Sequence, residues 1–350
     1  MRKNGGPRFT VEMHPTLVCV VAVLASLSGC AADDEPASVV PPPPAAIATV
    51  SETAPTNEDA LPVGITVGKA GGESIEAGRD NDFAVAAAGG IWVTGVPPGL
   101  VRYEASTGEI TRRIEIESVV VQALDAVDGR VWVVGLAPDV LLVVDEVSGE
   151  VVKRVALPAA PLVESSLGAH GDVAWVLINP AAPRILRVDT TTGELARLPA
   201  PVGVKALRYG AGSLWVTTYD SVERLDPRTG RRQDVVETVP SSSFLTFAHG
   251  AAWVLGQLEG SVSRVDARSG EASTIMVSDH AVNGGDIAAS EGYVWVRTWD
   301  GVTVIDPGMG EAFARIDTEG GSGSVAAADG WLWITDHDHS AVHRVPWPPA

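Results

Sequence analysis

The chain has 350 residues and a formal charge of −19, with 44 acidic side chains against 25 Lys and Arg. A surface that acidic repels phosphate backbones and anionic head groups, which excludes nucleic acid as a natural partner and favours cations and basic ligands. Hydrophobic residues make up 45% of the chain, enough for a sizeable core, and ten of its few aromatic side chains are Trp.

The chain opens on a basic stretch containing Arg2, Lys3 and Arg8, followed by an apolar run from Leu17 to Leu27. That run is too short to span a bilayer and has the length of a signal-peptide core. It leads into Leu27-Ser28-Gly29-Cys30, which matches a bacterial lipobox. Residues 1–29 are therefore expected to be a lipoprotein signal peptide, with Cys30 as the lipidated mature N-terminus. The other cysteine, Cys19, lies inside the signal, so the folded part has no disulfide, no Cys-ligated metal and no Cys nucleophile. Residues 30–62, rich in Pro and acids and lacking Lys and Arg, read as an extended disordered linker. The lipid is then the sole expected contact with the membrane.

From residue 63 onward the sequence repeats. Each unit has a small-apolar strand, a Gly-containing turn, an apolar strand around a Trp, a third strand ending in a turn such as Asp189-Thr190-Thr191-Thr192-Gly193, and a fourth strand. The marker residues are Trp92, Trp132, Trp175, Trp215, Trp253, Trp295 and Trp333, spaced 38 to 43 residues apart. Seven units of four short strands at that period define an all-β fold, a seven-bladed β-propeller of antiparallel blades spanning 63–350. Strands apolar on both faces fit blades that stack face to face. The turn Gly (Gly90, Gly129, Gly171, Gly212, Gly250, Gly292, Gly330) supplies positive φ. The seventh unit ends at Pro346-Trp347-Pro348 with no fourth strand. An N-terminal strand, Val63–Gly68, is expected to complete that last blade and close the ring.

The pattern Gly-x-x-Trp-Val followed by Val-x-Arg-Val-Asp-x-x-Thr-Gly-Glu resembles YVTN-type propeller repeats. It is also similar to the repeats of virginiamycin B lyase-like and regucalcin/gluconolactonase-like propellers. The resemblance rests on structural Trp, Gly and Asp residues, so it implies fold more than activity.

Function in such a fold gathers on the face that carries the variable loops. Four and five positions after the marker Trp, three blades carry a ring followed by a carboxylate: Tyr219-Asp220, Trp299-Asp300 and His337-Asp338. A ring with a carboxylate suits stacking on a sugar or holding a cationic group. Blade seven also contains Asp336-His337-Asp338-His339, donors suited to a divalent metal ion, with His280 expected on the same face. His170 and His249 belong to the opposite face. No Gly-x-Ser-x-Gly elbow marks a serine nucleophile. The leading expectation is a tethered, monomeric, non-catalytic module that binds or senses a protein, small-molecule or glycan ligand with Tyr219, Asp220, Trp299, Asp300, His337, Asp338 and His339. The alternative is a metal-dependent lyase or lactonase-like hydrolase centred on Asp336, His337, Asp338 and His339.

Overall fold

The computed structural model describes residues 61–349, except 80, 96, 119 and 163. The signal peptide, Cys30 and all but the last two residues of the linker lie outside the described residues.

Seven sheets of four antiparallel strands form a ring, one sheet gaining a fifth strand. The first strands of the blades, from Ala84–Ala87 to Val325–Ala328, adjoin one another around the ring and line a central channel. Each marker Trp sits on the second strand and packs between blades. Trp132, for example, meets Leu167, Ala174, Val176 and Leu186 of the next blade. Trp92, Trp132, Trp253, Trp295 and Trp333 are fully buried. At about 25 cal/mol per Å², each ring of roughly 150–250 Å² contributes about 4–6 kcal/mol before ordering costs. In blades four to six the indole N–H also returns to the carbonyl ending the first strand: Gly210, Ala248 and Ser290, each at 3.1 Å.

The turns follow from the residues. In six blades the two residues between first and second strands both have positive φ, as at Asp128 (53°) and Gly129 (78°). This is the hairpin turn whose twist matches the flanking strands. In blade one the turn glycine is Gly89 rather than Gly90, because Gly90 already pairs with Ala87 in the sheet. In the third-to-fourth strand turn, the Asp accepts bonds from two following amides. Asp226 Oδ1, for example, takes the N–H of Arg228 at 3.0 Å and of Thr229 at 2.8 Å.

These bonds hold the hairpin carboxylates below the ordinary value of 3.8: backbone and side chain of Ser148 on Asp145, backbone of Thr192 on Asp189, side chain and backbone of Thr229 on Asp226, and backbone of Ser269 on Asp266. Each is a stronger acid folded than unfolded, so its stabilisation is complete above 3.8 and is lost as pH falls through the folded values. The melting temperature is expected to drop below about pH 4. A scan of melting temperature against pH should show a shallower acid limb for Asp226→Asn, and an unchanged limb would contradict the assignment.

Ring closure differs in detail from the sequence expectation. Glu73–Glu76, not Val63–Gly68, is the fourth strand of blade seven, antiparallel to Ala341–Pro346. Ile65–Thr66 instead pairs in parallel with the outer strand of blade six, Ile65 opposite Ile316. The reason is packing. Ile75 joins Val342 and Tyr103 in the core between blades seven and one, while Ile65, Val67 and Ala70 pack with Trp295 and Val345 between blades six and seven.

Candidate functional site

The second-to-third strand loops and the connections between blades share one face. On blades four, five and six the short second-to-third loops each lift an apolar side chain into solvent: Tyr219 at 56% exposure, Leu258 at 56% and Trp299 at 41%. An acid follows each one, Asp220, Glu259 and Asp300. Sequence spacing identified the first and third pairs. It missed Leu258-Glu259, because that pair lies five and six positions after Trp253, one further than in blades four and six, in a longer loop whose next strand opens at Ser261.

Trp299 is seated. A Cβ on Gly320 would lie 2.3 Å from its Nε1, so the indole rests where only glycine leaves room. Asp300 accepts from Arg315 Nη2 at 2.7 Å and Thr298 Oγ1 at 3.0 Å, with His280 Nε2 at 3.8 Å. Partial burial pushes this carboxyl up, but the Arg315 bond and charge outweigh it and hold the group below its usual range. His280 thus joins this face as expected, with its Nδ1 2.6 Å from Asp279.

Behind the strip lies Arg297, fully buried at the end of a blade-six strand. Its guanidinium donates to the carbonyls of Thr298, Gly301 (3.1 Å) and Gly321 (2.9 Å), and to Thr318 Oγ1 at 3.2 Å. Burial pulls its pKa down to about 10, opposed by Asp336, Asp300 and Asp338. The residue fastens three loop segments beneath Trp299.

In blade seven the Asp-His-Asp-His run divides among three separate contacts. Asp336 is buried and accepts from His339 Nδ1 at 2.8 Å, with His343 Nε2 at 3.4 Å. His337 Nδ1 lies 2.7 Å from Asp82 Oδ1. Asp338 accepts from the amide of Ser322 at 2.6 Å and its hydroxyl at 3.0 Å, which lowers its pKa. Hydrogen bonding to Asp336 raises His339, whereas burial lowers His343 despite the same carboxylate. Among the described residues, no group of three or more His, Asp or Glu side chains is arranged to hold a metal ion.

The central channel encloses a cavity of about 150 Å³ lined chiefly by small residues. Its polar groups tie neighbouring blades: Asp125 to the Ala169 amide (2.9 Å), Arg208 to the Leu167 carbonyl (2.6 Å) and Asp286 to Ser324 (2.6 Å). Burial raises Asp125 and Asp286. On the opposite face His170 stacks on Tyr209 at 4.6 Å, and His249 takes a positive-φ turn position, both structural as the sequence suggested.

No protein family matches the sequence, and no curated protein does. The fold itself recurs among solved structures. The β-propeller domain of Myceliophteria thermophila Cps50 (Swd1) is 12% identical, with a TM-score of 0.62 over 79% of this chain and 99% of that one. Hydrazine synthase from Kuenenia stuttgartiensis is 14% identical, with a TM-score of 0.61 over 79% and 98%. The computationally designed Ika8 protein is 17% identical, with a TM-score of 0.53 over 76% and 85%. Likeness at these identities shows the fold alone and nothing about activity.

Proposed function

We propose that the protein is a binding module, exported and tethered through Cys30, whose loop face on blades four to six docks a basic segment of a partner protein. One observation carries this reading. The loops that build the face (218–220, 238–241, 257–260, 277–285, 299–300 and 318–324) contain Asp220, Glu259, Asp279, Asp300 and Glu319 but neither Lys nor Arg. The nearby arginines face inward, Arg297 onto carbonyls and Arg315 onto Asp300 and Asp317. A net acidic field surrounds three exposed apolar side chains, one of them clamped, with Lys205 of the connection from blade three to blade four an exposed cation at its margin. Lys and Arg stems can lie on Tyr219, Leu258 and Trp299 while their charged heads meet the carboxylates. Aromatic anchors ringed by complementary charge are the usual energetic centre of such a surface. The exported location rests on the basic stretch, apolar run and lipobox of the sequence. His337, Asp338 and His339 flank the strip on the blade-seven side.

The test is binding of a labelled Arg-rich peptide containing Leu and Trp, followed by fluorescence anisotropy at increasing salt. Binding is expected to weaken with salt, and Trp299→Ala is expected to cost about 2 kcal/mol, near thirtyfold in Kd. Gly320→Ala, which displaces the indole, should weaken binding in the same direction. Equal affinity for a Glu-rich peptide, or a Trp299→Ala protein that binds as tightly, would refute the reading.

A further inference from the structure

The closing strand creates a constellation that lies outside the loop-face strip. Ser74, on Glu73–Glu76, sits opposite His343 on Ala341–Pro346. The Ala77 amide donates to the Ser340 carbonyl at 2.9 Å, which fixes the alternation of the ladder. Ile75 and Glu73 then point their N–H groups at the partner strand, and Ser74 and Glu76 point theirs away from it. Ser74 and His343 therefore form a non-hydrogen-bonded pair, the kind whose side chains approach most closely.

They do meet. Ser74 Oγ lies 2.8 Å from His343 Nδ1, and His343 Nε2 lies 3.4 Å from Asp336 Oδ2. Asp336 is 1% exposed and His343 is largely enclosed, while Ser74 is open to solvent. An accessible hydroxyl thus leads to an enclosed imidazole and then to a buried carboxylate. The carboxylate, accepting at Nε2, leaves the Nδ1 lone pair facing the hydroxyl. Compared with the familiar serine hydrolase arrangement the two ring nitrogens exchange roles, but the chemical order of nucleophile, base and orienting acid is the same. Glu73–Glu76 is also the edge of its sheet, so the outward N–H of Ser74 meets no strand. It stands beside its own Oγ, where the oxyanion of an attacked carbonyl would form.

We infer that Ser74 is a base-activated nucleophile that accepts an acyl group from a carboxylic ester reaching the exposed outer edge of blade seven. In the first half of the reaction Ser74 Oγ bonds to the acyl carbon and its proton passes to His343 Nδ1. The ester C–O bond breaks, and the leaving alcohol takes that proton. In the second half water gives a proton to His343 and its oxygen to the acyl carbon. The carboxylic acid departs and Ser74 recovers its proton. No oxidant, reductant or metal enters the balance. Asp336 is a positioning residue that sets the tautomer.

The full chain is incubated with p-nitrophenyl acetate, followed by intact mass and peptide mapping. When the reaction is quenched in acid before the second half completes, one acetyl group is expected on Ser74, in preference to Ser273, an exposed serine on the outer strand of blade five that has no imidazole partner. Ser74→Ala should lose the adduct. His343→Gln should slow its formation by about 100-fold or more, the usual contribution of a general base. Asp336→Asn should slow it too, while Ser74→Thr should retain part of it. Equal labelling of Ser74 and Ser273 in the unaltered chain overturns the inference without any variant. Undiminished labelling of Ser74 in a folded His343→Gln protein overturns it as well.

Discussion

Proline at position 75 is expected to destabilise the protein by about 3–5 kcal/mol, the sum of a lost ladder bond, a carbonyl left without its donor, and disturbed burial. Ile75 faces Val342 across the closing ladder and packs in the core shared with Tyr103 and Trp333. Its N–H points at the partner strand, so proline removes a bond that nothing else can supply. One residue further on, Glu76 turns its N–H outward and its side chain into solvent. Proline is tolerated on edge strands with that orientation, and Glu76→Pro should cost only about 1 kcal/mol. Urea unfolding of the two variants checks the contrast. Similar midpoints would mean that Glu73–Glu76 does not carry closure. Ile65→Pro, on the two-residue parallel strand beside blade six, should resemble the milder case.

Arg297→Met is expected to cost about 3 kcal/mol or more, because each buried carbonyl deprived of its donor costs about 1–3 kcal/mol. The guanidinium serves Thr298, Gly301 and Gly321 together, and methionine fills its volume without donating to any of them. Arg315→Met is the informative comparison. That side chain faces carboxylates that retain some access to solvent, so its loss should be smaller. Arg297→Met should also weaken binding of the basic peptide, since Gly321 anchors the loop beneath Trp299 through the hydrogen bond its N–H donates to the Trp299 carbonyl at 2.8 Å. Thermal melts and the anisotropy titration read the two effects separately.

The scaffold was legible in the sequence because its signals are local. Marker Trp, turn Gly and Asp-x-x-Thr/Ser-Gly recur in register with the strands they terminate, and all seven blades follow from them. Closure was legible only in kind. Val63–Gly68 alternates like a strand and is the more apolar candidate, yet Glu73–Glu76 takes the position because Ile75 fits the cleft between blades seven and one. The candidate site divides along the same line. Tyr219-Asp220 and Trp299-Asp300 lie a fixed distance past the marker Trp, so spacing found them. The seat at Gly320 and the fastening by Arg297 depend on how loops fold back on one another, which leaves no periodic trace. The Asp-His-Asp-His run shows the limit of adjacency: neighbours in sequence turned to Asp82, Ser322 and a shared Asp336. Ser74 carried no signal at all, since its partner His343 is 269 residues away.

That separation also sets an order in time. Glu73–Glu76 is synthesised before the first blade and Ala341–Pro346 within the last, so the joining of the two must await all seven blades. Contacts of such long range are slow to form, because the closure entropy comes due before the contact exists. The waiting strand has the sequence Glu-Ser-Ile-Glu, with three of its four side chains turned to solvent in the finished protein. Two carboxylates in four residues make it a poor template for pairing with a neighbouring chain. The polarity that hid this strand from sequence reading therefore protects the unfinished ring during the interval when it is most open to misassembly.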